Sequence, residues 1–312
     1  MATAETISGR MRIELCGIAL KNPILAASGT FGYGLEFASI VDLNLLGGIV
    51  TKGLSREPIA GNPAPRLWEA TSGMMNSVGL QNVGVREFAA SKLPKLRGYT
   101  VPIFANVFGY AADDYTEVVR VLDDHPGIAG YELNVSCPNT KHGGMFFSSD
   151  PGLLSELVES VRASAKRPVI VQLSPNVASI PVIAKAAEQA GADALSLVNT
   201  FVALAVDAKI RRPRIGAGFG GLSGPAIKPI ALRMVYEAAQ SVKIPVIGLG
   251  GIATGEDAAE FLIAGAQAVE VGTASFWNPR APLEIAGQLE TFVAQEKLSS
   301  IRELVGTLRF TN

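Results

Sequence analysis

The sequence predicts a (β/α)8 barrel, and three features indicate it. Eight short apolar runs recur along the 312 residues, mostly rich in β-branched residues and bounded by Gly or Pro, as buried parallel strands are. Amphipathic stretches typical of helices lie between them. The three longest loops, residues 55–81, 138–149 and 201–225, all follow strands, which in a barrel places them over the catalytic face. A doubly wound open sheet is the alternative arrangement of the same units.

The predicted strands follow one another in chain order. They are PILAAS from Pro23, GGIVTKG from Gly47, VPIFANVF from Val101, YELNVSC from Tyr131, PVIVQLS from Pro168, ALSLVNT from Ala194, PVIGLGG from Pro245 and AVEVGTA from Ala268. Before them, MRIELCGIALKNP predicts a β-hairpin that plugs the opposite end of the barrel. Among the helices, DPGLLSELVESVRAS begins with Asp150 as N-cap and Pro151 at the first helical position. No linker divides the chain, so we expect one domain over residues 1–312.

Composition excludes several classes of function. The net charge of -1 provides no basic surface for nucleic acid. No run of eighteen apolar residues indicates a membrane span, and the N-terminus lacks the apolar core of a signal peptide. The two cysteines, Cys16 and Cys137, have no disulfide or metal-site spacing. A reducing cytoplasm is the expected compartment, and no metal is expected.

Polar side chains interrupt or end the predicted strands. A single buried amide or ammonium is most often a core group with satisfied hydrogen bonds. Six such residues near the carboxyl ends of strands instead predict a polar cup, where barrel enzymes keep their active sites. They are Ser28, Lys52, Asn106, Asn134, Gln172 and Asn199.

Glycines after the last two strands indicate a phosphate site. Gly250 and Gly251 precede a helix that Thr254 opens, and Gly272 and Thr273 follow the eighth strand. Bare backbone N–H groups and helix N-termini bind phosphate at this position in many barrels. Tight turns without a ligand are the alternative interpretation.

Cys137 follows the fourth strand and lies between Asn134 and Asn139 in ELNVSCPN. A buried, unreactive thiol is the commonest alternative. His142 is the one histidine near it in sequence, so a Cys–His nucleophile has weak support. A thiol without a histidine partner suits removal of a proton next to a carbonyl.

Several motifs together resemble dihydroorotate dehydrogenases over nearly the whole chain. The motifs are ASGTFGYG, TKGLS, MMNSVGLQN, ELNVSCPN, LSPNV, GGLSGPAIKPIALRMVY and GLGGI. Cysteine at the base position is similar to class 1, and NSVGLQN and GLSGPAIKPIALRMVY resemble subclass 1B. The resemblance implies oxidation of dihydroorotate to orotate in pyrimidine biosynthesis. It also implies a homodimeric FMN core that joins a subunit carrying FAD and a [2Fe-2S] cluster in a heterotetramer and uses NAD⁺.

The resemblance assigns roles to residues. Cys137 would be the base that takes the C5 proton of the substrate. The FMN positions are Ser28, Lys52, Gly53, Asn106, Asn134, Gln172, Val198, Gly224, Gly250, Gly251, Gly272 and Thr273. The dihydroorotate positions are Lys52, Asn76, Ser77, Val78, Gly79, Leu80, Asn134, Asn139, Asn199 and Thr200.

One departure from the family pattern is Gln172 in VQLSP, where the family usually has lysine. An uncharged side chain there predicts a less stabilised reduced flavin. Three other functions remain open: a dihydropyrimidine dehydrogenase-like flavin enzyme, a non-redox aldolase or isomerase acting on a sugar phosphate, and a weak flavin-binding scaffold. Trp277 is predicted to serve packing.

Overall fold

The computed structural model describes residues 8–136 and 147–310, and the backbone alone of residues 138–139 and 145–146. Its strands are β1 (Ile13–Leu15), β2 (Ile18–Leu20), β3 (Ile24–Ala26), β4 (Gly48–Val50), β5 (Leu67–Ala70), β6 (Gly73–Asn76), β7 (Ile103–Val107), β8 (Gly130–Asn134), β9 (Pro138–Asn139), β10 (Met145–Phe146), β11 (Val169–Gln172), β12 (Ala194–Leu197), β13 (Phe201–Leu204), β14 (Val206–Asp207), β15 (Arg212–Pro213), β16 (Phe219–Ser223), β17 (Val246–Leu249) and β18 (Ala268–Val271).

The α-helices lie between and after these strands. They are α1 (Val85–Glu87), α2 (Leu93–Leu96), α3 (Ala112–Asp123), α4 (Pro151–Ser164), α5 (Ile180–Gln189), α6 (Lys228–Ser241), α7 (Gly255–Ile263), α8 (Ala274–Trp277) and α9 (Ala281–Gln295). A π-helical segment, Phe88–Lys92, joins α1 to α2. Of the helices described here, none has the length and apolarity that crossing a bilayer requires.

Eight parallel strands close into a barrel in the order β3, β4, β7, β8, β11, β12, β17 and β18. Pairing of Val269 with Ile24 joins the last strand to the first. All eight predicted strands are confirmed, and the closed ring rules out an open sheet. The barrel strands are buried almost throughout, which explains their continuous apolar sequence.

Helix α4 shows how the outer layer forms. The side chain of Asp150 accepts a hydrogen bond from the backbone N–H of Leu153 at 2.9 Å, and Pro151 occupies the first helical position, as predicted. Leu154, Leu157 and further apolar residues one or two turns apart are buried, so one stripe of the helix faces the barrel.

The N-terminal hairpin packs at the amino-terminal end of the barrel. Its strands β1 and β2 pair antiparallel, from Ile13 opposite Leu20 to Leu15 opposite Ile18. In its turn, the Cys16 thiol donates a hydrogen bond to the carbonyl of Asp193 at 3.4 Å, just before β12 begins. Burial, with a smaller contribution from the Asp193 charge, raises the pKa of Cys16 to about 12. The hairpin prediction is confirmed, and this thiol is protonated at neutral pH.

Two of the predicted long loops, 55–81 and 201–225, contribute strands to one small sheet. This sheet is antiparallel and has the order β13, β16, β6 and β5. It packs closely against the loop after β12, since a Cβ added at Gly221 would lie 2.0 Å from the hydroxyl of Thr200. The third predicted loop, 138–149, lies largely outside the described residues.

Candidate functional site

A cavity of about 420 Å³ opens at the carboxyl ends of the barrel strands, beside the small sheet. Cavities that bind small molecules fall in this size range. The structure brings the whole predicted polar cup together along its wall: Ser28, Lys52, Asn106, Asn134, Gln172 and Asn199.

Hydrogen bonds centred on Glu132 orient the side chains inside the barrel. One oxygen of Glu132 accepts from the side-chain amides of Asn106 at 2.6 Å and Gln172 at 3.0 Å. The other accepts from the hydroxyl of Ser196 at 2.7 Å. The carbonyl oxygen of Gln172 accepts from the amide of Asn199 at 2.7 Å. These bonds fix which end of each amide is directed towards the carboxylate.

Buried polar atoms without a partner concentrate around the cavity. Within the described part of the chain, the hydroxyls of Ser77 and Ser136, the Oδ1 atom of Asn106 and both carboxyl oxygens of Glu270 have no hydrogen-bond partner. All four residues line the cavity. An unsatisfied buried polar group costs about 1–3 kcal/mol, so this arrangement favours a ligand rich in hydrogen-bonding groups.

The predicted phosphate glycines form one side of the cavity. Gly250 and Gly251 have φ values of 123° and 84°, which favour glycine. A Cβ added at Gly251 would lie 2.7 Å from the Cβ of Lys228. At Gly272, by contrast, an added Cβ would have no neighbour closer than 3.5 Å. A side chain at Gly272 would therefore occupy cavity space without disturbing the backbone.

Helix α7 does not supply the phosphate donors that its position after Gly251 suggested. Its N-terminus is capped within the chain, since the hydroxyl of Thr254 accepts from the N–H of Asp257 at 3.1 Å. The carboxylate of Asp257 in turn accepts from the N–H of Thr254 at 2.8 Å, and the N–H of Gly255 donates to the side chain of Gln288. The prediction that the N-terminus of this helix binds phosphate is wrong, because these backbone donors are already paired within the chain.

Lys52 is the one cationic residue among those that line the described cavity. Burial lowers the pKa of Lys52, the nearby charge of Arg66 lowers it further, and Glu36 partly opposes the change. An ammonium in this position would attract a carboxylate ligand, and the negative charge of that ligand would stabilise the charged form of Lys52.

The predicted substrate turn also lines the cavity, at positions Asn76, Ser77, Val78, Gly79 and Leu80. Leu80 has a left-handed backbone with φ of 56°, a strain that non-glycine residues retain mainly where the surroundings fix it. Asn82 provides that support by donating to the carbonyl of Leu80 at 2.9 Å. Thr200, predicted for the same ligand, lies on the cavity wall.

The remaining predicted FMN positions line the same cavity: Gly53, Val198, Gly224 and Thr273. Cys137 and His142 lie outside the described residues, as does the side chain of Asn139. For Cys137 and Asn139 the assignments therefore stay predictions.

Sequence reasoning missed several cavity residues. Glu270 was read only as part of an apolar strand, although a carboxyl inside AVEVGTA is itself a signal. Phe276 and Trp277 line the cavity opening. The interpretation of Trp277 as a packing residue is wrong, because its side chain is 55% exposed there.

Comparison with known proteins identifies the family. The family model described as Dihydroorotate dehydrogenase matches residues 10–293, which is most of the chain. The chain belongs to the dihydroorotate dehydrogenase family. The expected family is confirmed, and with it an FMN-dependent oxidoreductase of pyrimidine biosynthesis rather than an aldolase, an isomerase or a scaffold.

Similar relatives differ in the electron acceptor that their names carry. A protein of Solibacter usitatus named putative dihydroorotate dehydrogenase A (fumarate) is 69% identical over 96% of this chain and 99% of its own length. Catalytic subunits named dihydroorotate dehydrogenase B (NAD(+)) are 50% identical in Citrifermentans bemidjiense and 51% in Geotalea uraniireducens. Each covers 96% of this chain and 98% of the relative.

Proposed function

We propose that this cavity is the active site in which the chain oxidises dihydroorotate to orotate. The observation that supports this most is the division of one cavity into two chemical halves. A glycine-lined side suits a phosphate, while an amide-lined floor with Lys52 suits a flat, carboxylated ring. Both halves are needed for an enzyme that binds FMN and dihydroorotate together.

The residues present fit FMN. The bare backbone at Gly272 leaves space for a phosphate oxygen, since an added Cβ would have no neighbour closer than 3.5 Å. The unpaired Asn106 Oδ1 atom provides an acceptor for a ring N–H. Bound FMN would supply the acceptor for the hydride that leaves C6 of dihydroorotate. Phe276 and Trp277 at the opening provide apolar cover that limits entry of water.

The substrate half orients dihydroorotate. Lys52 would neutralise the carboxylate, which is the one fixed negative charge of the substrate. The amides of Asn134 and Asn199 and the turn Asn76–Leu80 offer donors and acceptors for the ring carbonyls and N–H groups. Contacts at both ends of a flat ring hold it in one orientation. Holding the reacting atoms in place in this way lowers the activation barrier of the reaction.

Cys137 would accept the proton from C5. A free thiol has a pKa near ~8.5, so only a few per cent is thiolate at neutral pH. In this role, amide donors and the Lys52 ammonium would favour the thiolate, and each unit of pKa corresponds to ~1.4 kcal/mol. Loss of this proton and of the C6 hydride leaves the C=C bond of orotate.

The electrons would pass through a partner subunit carrying FAD and a [2Fe-2S] cluster to NAD⁺, in a heterotetramer built on a homodimer. The relatives named B (NAD(+)) support this assignment. Direct reduction of fumarate is the second candidate, because the relative that is 69% identical carries that name. We place the enzyme in the cytoplasm.

Replacing the two cysteines in turn tests the assignment of the base. Cys137→Ala should retain bound flavin but lose most turnover of dihydroorotate at neutral pH with an artificial acceptor. Cys16→Ala is the matched control, since its thiol belongs to the hairpin at the far end of the barrel, and it should leave turnover unchanged. Wild-type turnover in Cys137→Ala would remove this residue from the role of base.

A further inference from the structure

The barrel interior contains a second carboxyl that the proposed reaction does not use. Glu270 on β18 is 1% exposed and lines the cavity, and neither of its oxygens accepts a hydrogen bond from a donor in the described part of the chain. Glu132 on β8, with 0% exposure, acts on it through its charge and a side-chain hydrogen bond. In the closed ring, β8 and β18 are four strands apart in either direction. The two carboxyls therefore approach each other across the barrel axis.

The two carboxyls have opposite surroundings. Glu132 accepts three hydrogen bonds, from Asn106, Gln172 and Ser196, and such donors stabilise a negative charge. Glu270 accepts none from the described residues. Burial raises the pKa of Glu270 well above its ordinary value, and the neighbouring Glu132 raises it further. The negative charge thus belongs on Glu132 and the proton on Glu270.

No cationic side chain in the described part of the chain offsets the charges of Glu132 and Glu270. On the two strands beside β18, the residues paired with Glu270 are Leu25 and Leu249. Glu132 is the one charged group among the described residues that acts on Glu270. Two ionised carboxylates this deeply buried would repel each other. One shared proton removes the repulsion and also pairs one of the two Glu270 oxygens with Glu132.

We propose that Glu132 and Glu270 share one proton across the barrel axis and act as a positioning pair beneath the ligand. The protonated Glu270 donates to Glu132, which remains charged and keeps its three donors. Because the Nδ2 group of Asn106 is held by Glu132, its unpaired Oδ1 atom stays available to the ligand. The link to FMN rests on the proposed function, whereas the shared proton does not, so the two can fail separately.

Infrared spectroscopy of the purified protein tests the proton directly. Subtracting the spectrum of each carboxyl variant from that of the wild type at neutral pH cancels the flavin carbonyls and leaves the C=O band of any protonated carboxylic acid that the substitution removes. We expect such a band for Glu270→Gln and none for Glu159→Gln, an exposed control on α4. Absence of the band for Glu270→Gln would overturn the proposal.

A second variant separates pairing from simple burial. Glu132→Gln removes the negative neighbour but keeps the shape, so the Glu270 band should titrate at lower pH than in the wild type. An unchanged titration would show that burial alone holds the proton and would overturn the shared pair.

Unfolding experiments provide an independent readout. A carboxyl whose folded pKa is raised contributes its full stability below the unfolded pKa of ~4.3, and that stability is lost as pH rises towards the folded pKa. The ratio of the folding equilibrium constant of Glu270→Gln to that of the wild type should therefore increase by up to tenfold for each unit that the pH rises above ~4.3. A ratio independent of pH would contradict the proposal, and Glu159→Gln should show such a constant ratio.

Discussion

Gly272→Ala provides the cleanest test of the phosphate half of the cavity. A Cβ at this position would meet the Cβ of Ala27 at 3.5 Å and the two branches of Thr30 at 3.7 and 3.8 Å. These are ordinary van der Waals contacts, and Gly272 has no positive φ. The folding free energy should therefore change by no more than about 0.5 kcal/mol.

The expected effect on FMN is much larger. The methyl group enters a cavity wall shared by Gly272, Ala27 and Thr30 and prevents close approach of a phosphate oxygen. Loss of one hydrogen bond to a charged group costs about 1.5–3 kcal/mol. At about 1.4 kcal/mol per factor of ten, the Kd for FMN should rise roughly 10- to 150-fold.

Quenching of FMN fluorescence on addition to flavin-free protein measures this Kd, and denaturant titration measures stability. Gly287→Ala is the matched control, because Gly287 lies exposed in α9 and an added Cβ would meet nothing within 4 Å. The control should bind FMN normally and gain up to about 1 kcal/mol in stability. If Gly272→Ala folds normally and binds FMN as tightly as wild type, the phosphate does not lie here.

Three further predictions concern the substrate, the flavin and the fold. In enzyme loaded with excess FMN, Lys52→Met should raise KM for dihydroorotate by at least tenfold, because it removes the cation lining the cavity. An unchanged KM would show that the substrate carboxylate lies elsewhere. Gln172→Lys should raise the flavin midpoint potential, measured by dye equilibration, because it adds a positive charge at a position where the Gln172 amide now donates to Glu132 at 3.0 Å. An unchanged potential would contradict the effect ascribed to the missing lysine. Asn82→Ala should lower the free energy of unfolding by about 1–3 kcal/mol, since Asn82 is buried and its amide donates hydrogen bonds to both Ser55 and Leu80. Wild-type stability in a denaturant titration would show that the turn does not depend on Asn82.

The barrel could be predicted because its strands are buried on both faces. Residues such as Ile170 and Val171 on β11 are inaccessible, so their runs are continuously apolar and end at Gly or Pro. The cup was predictable for the same reason, since a polar residue such as Asn106 stands out in an apolar strand. Its position near the carboxyl end then indicated the catalytic face.

The small sheet over the cavity could not be read in this way. Its strand β5 alternates between exposed and half-buried residues, and β16 begins Phe219–Gly220–Gly221, so neither has the apolar signature of a core strand. These segments acquire their strand form from one another, through pairs such as Leu222 with Met75. Such long-range pairing leaves little trace in either segment alone.

The carboxyl pair was missed for a related reason. Glu132 and Glu270 lie on strands far apart in the sequence and on opposite sides of the ring. Only closure of the barrel brings them together, so neither local pattern signals the other. The capping box at Thr254 and Asp257 could have been recognised from TGED, and it would have excluded that helix as a phosphate donor.

Anaerobic addition of dihydroorotate to the purified yellow protein tests whether this chain oxidises dihydroorotate through FMN. We expect the flavin absorbance to be bleached in the single-turnover reaction and orotate to form in an equal amount. A folded, FMN-loaded protein whose absorbance does not change on addition of dihydroorotate would contradict this expectation.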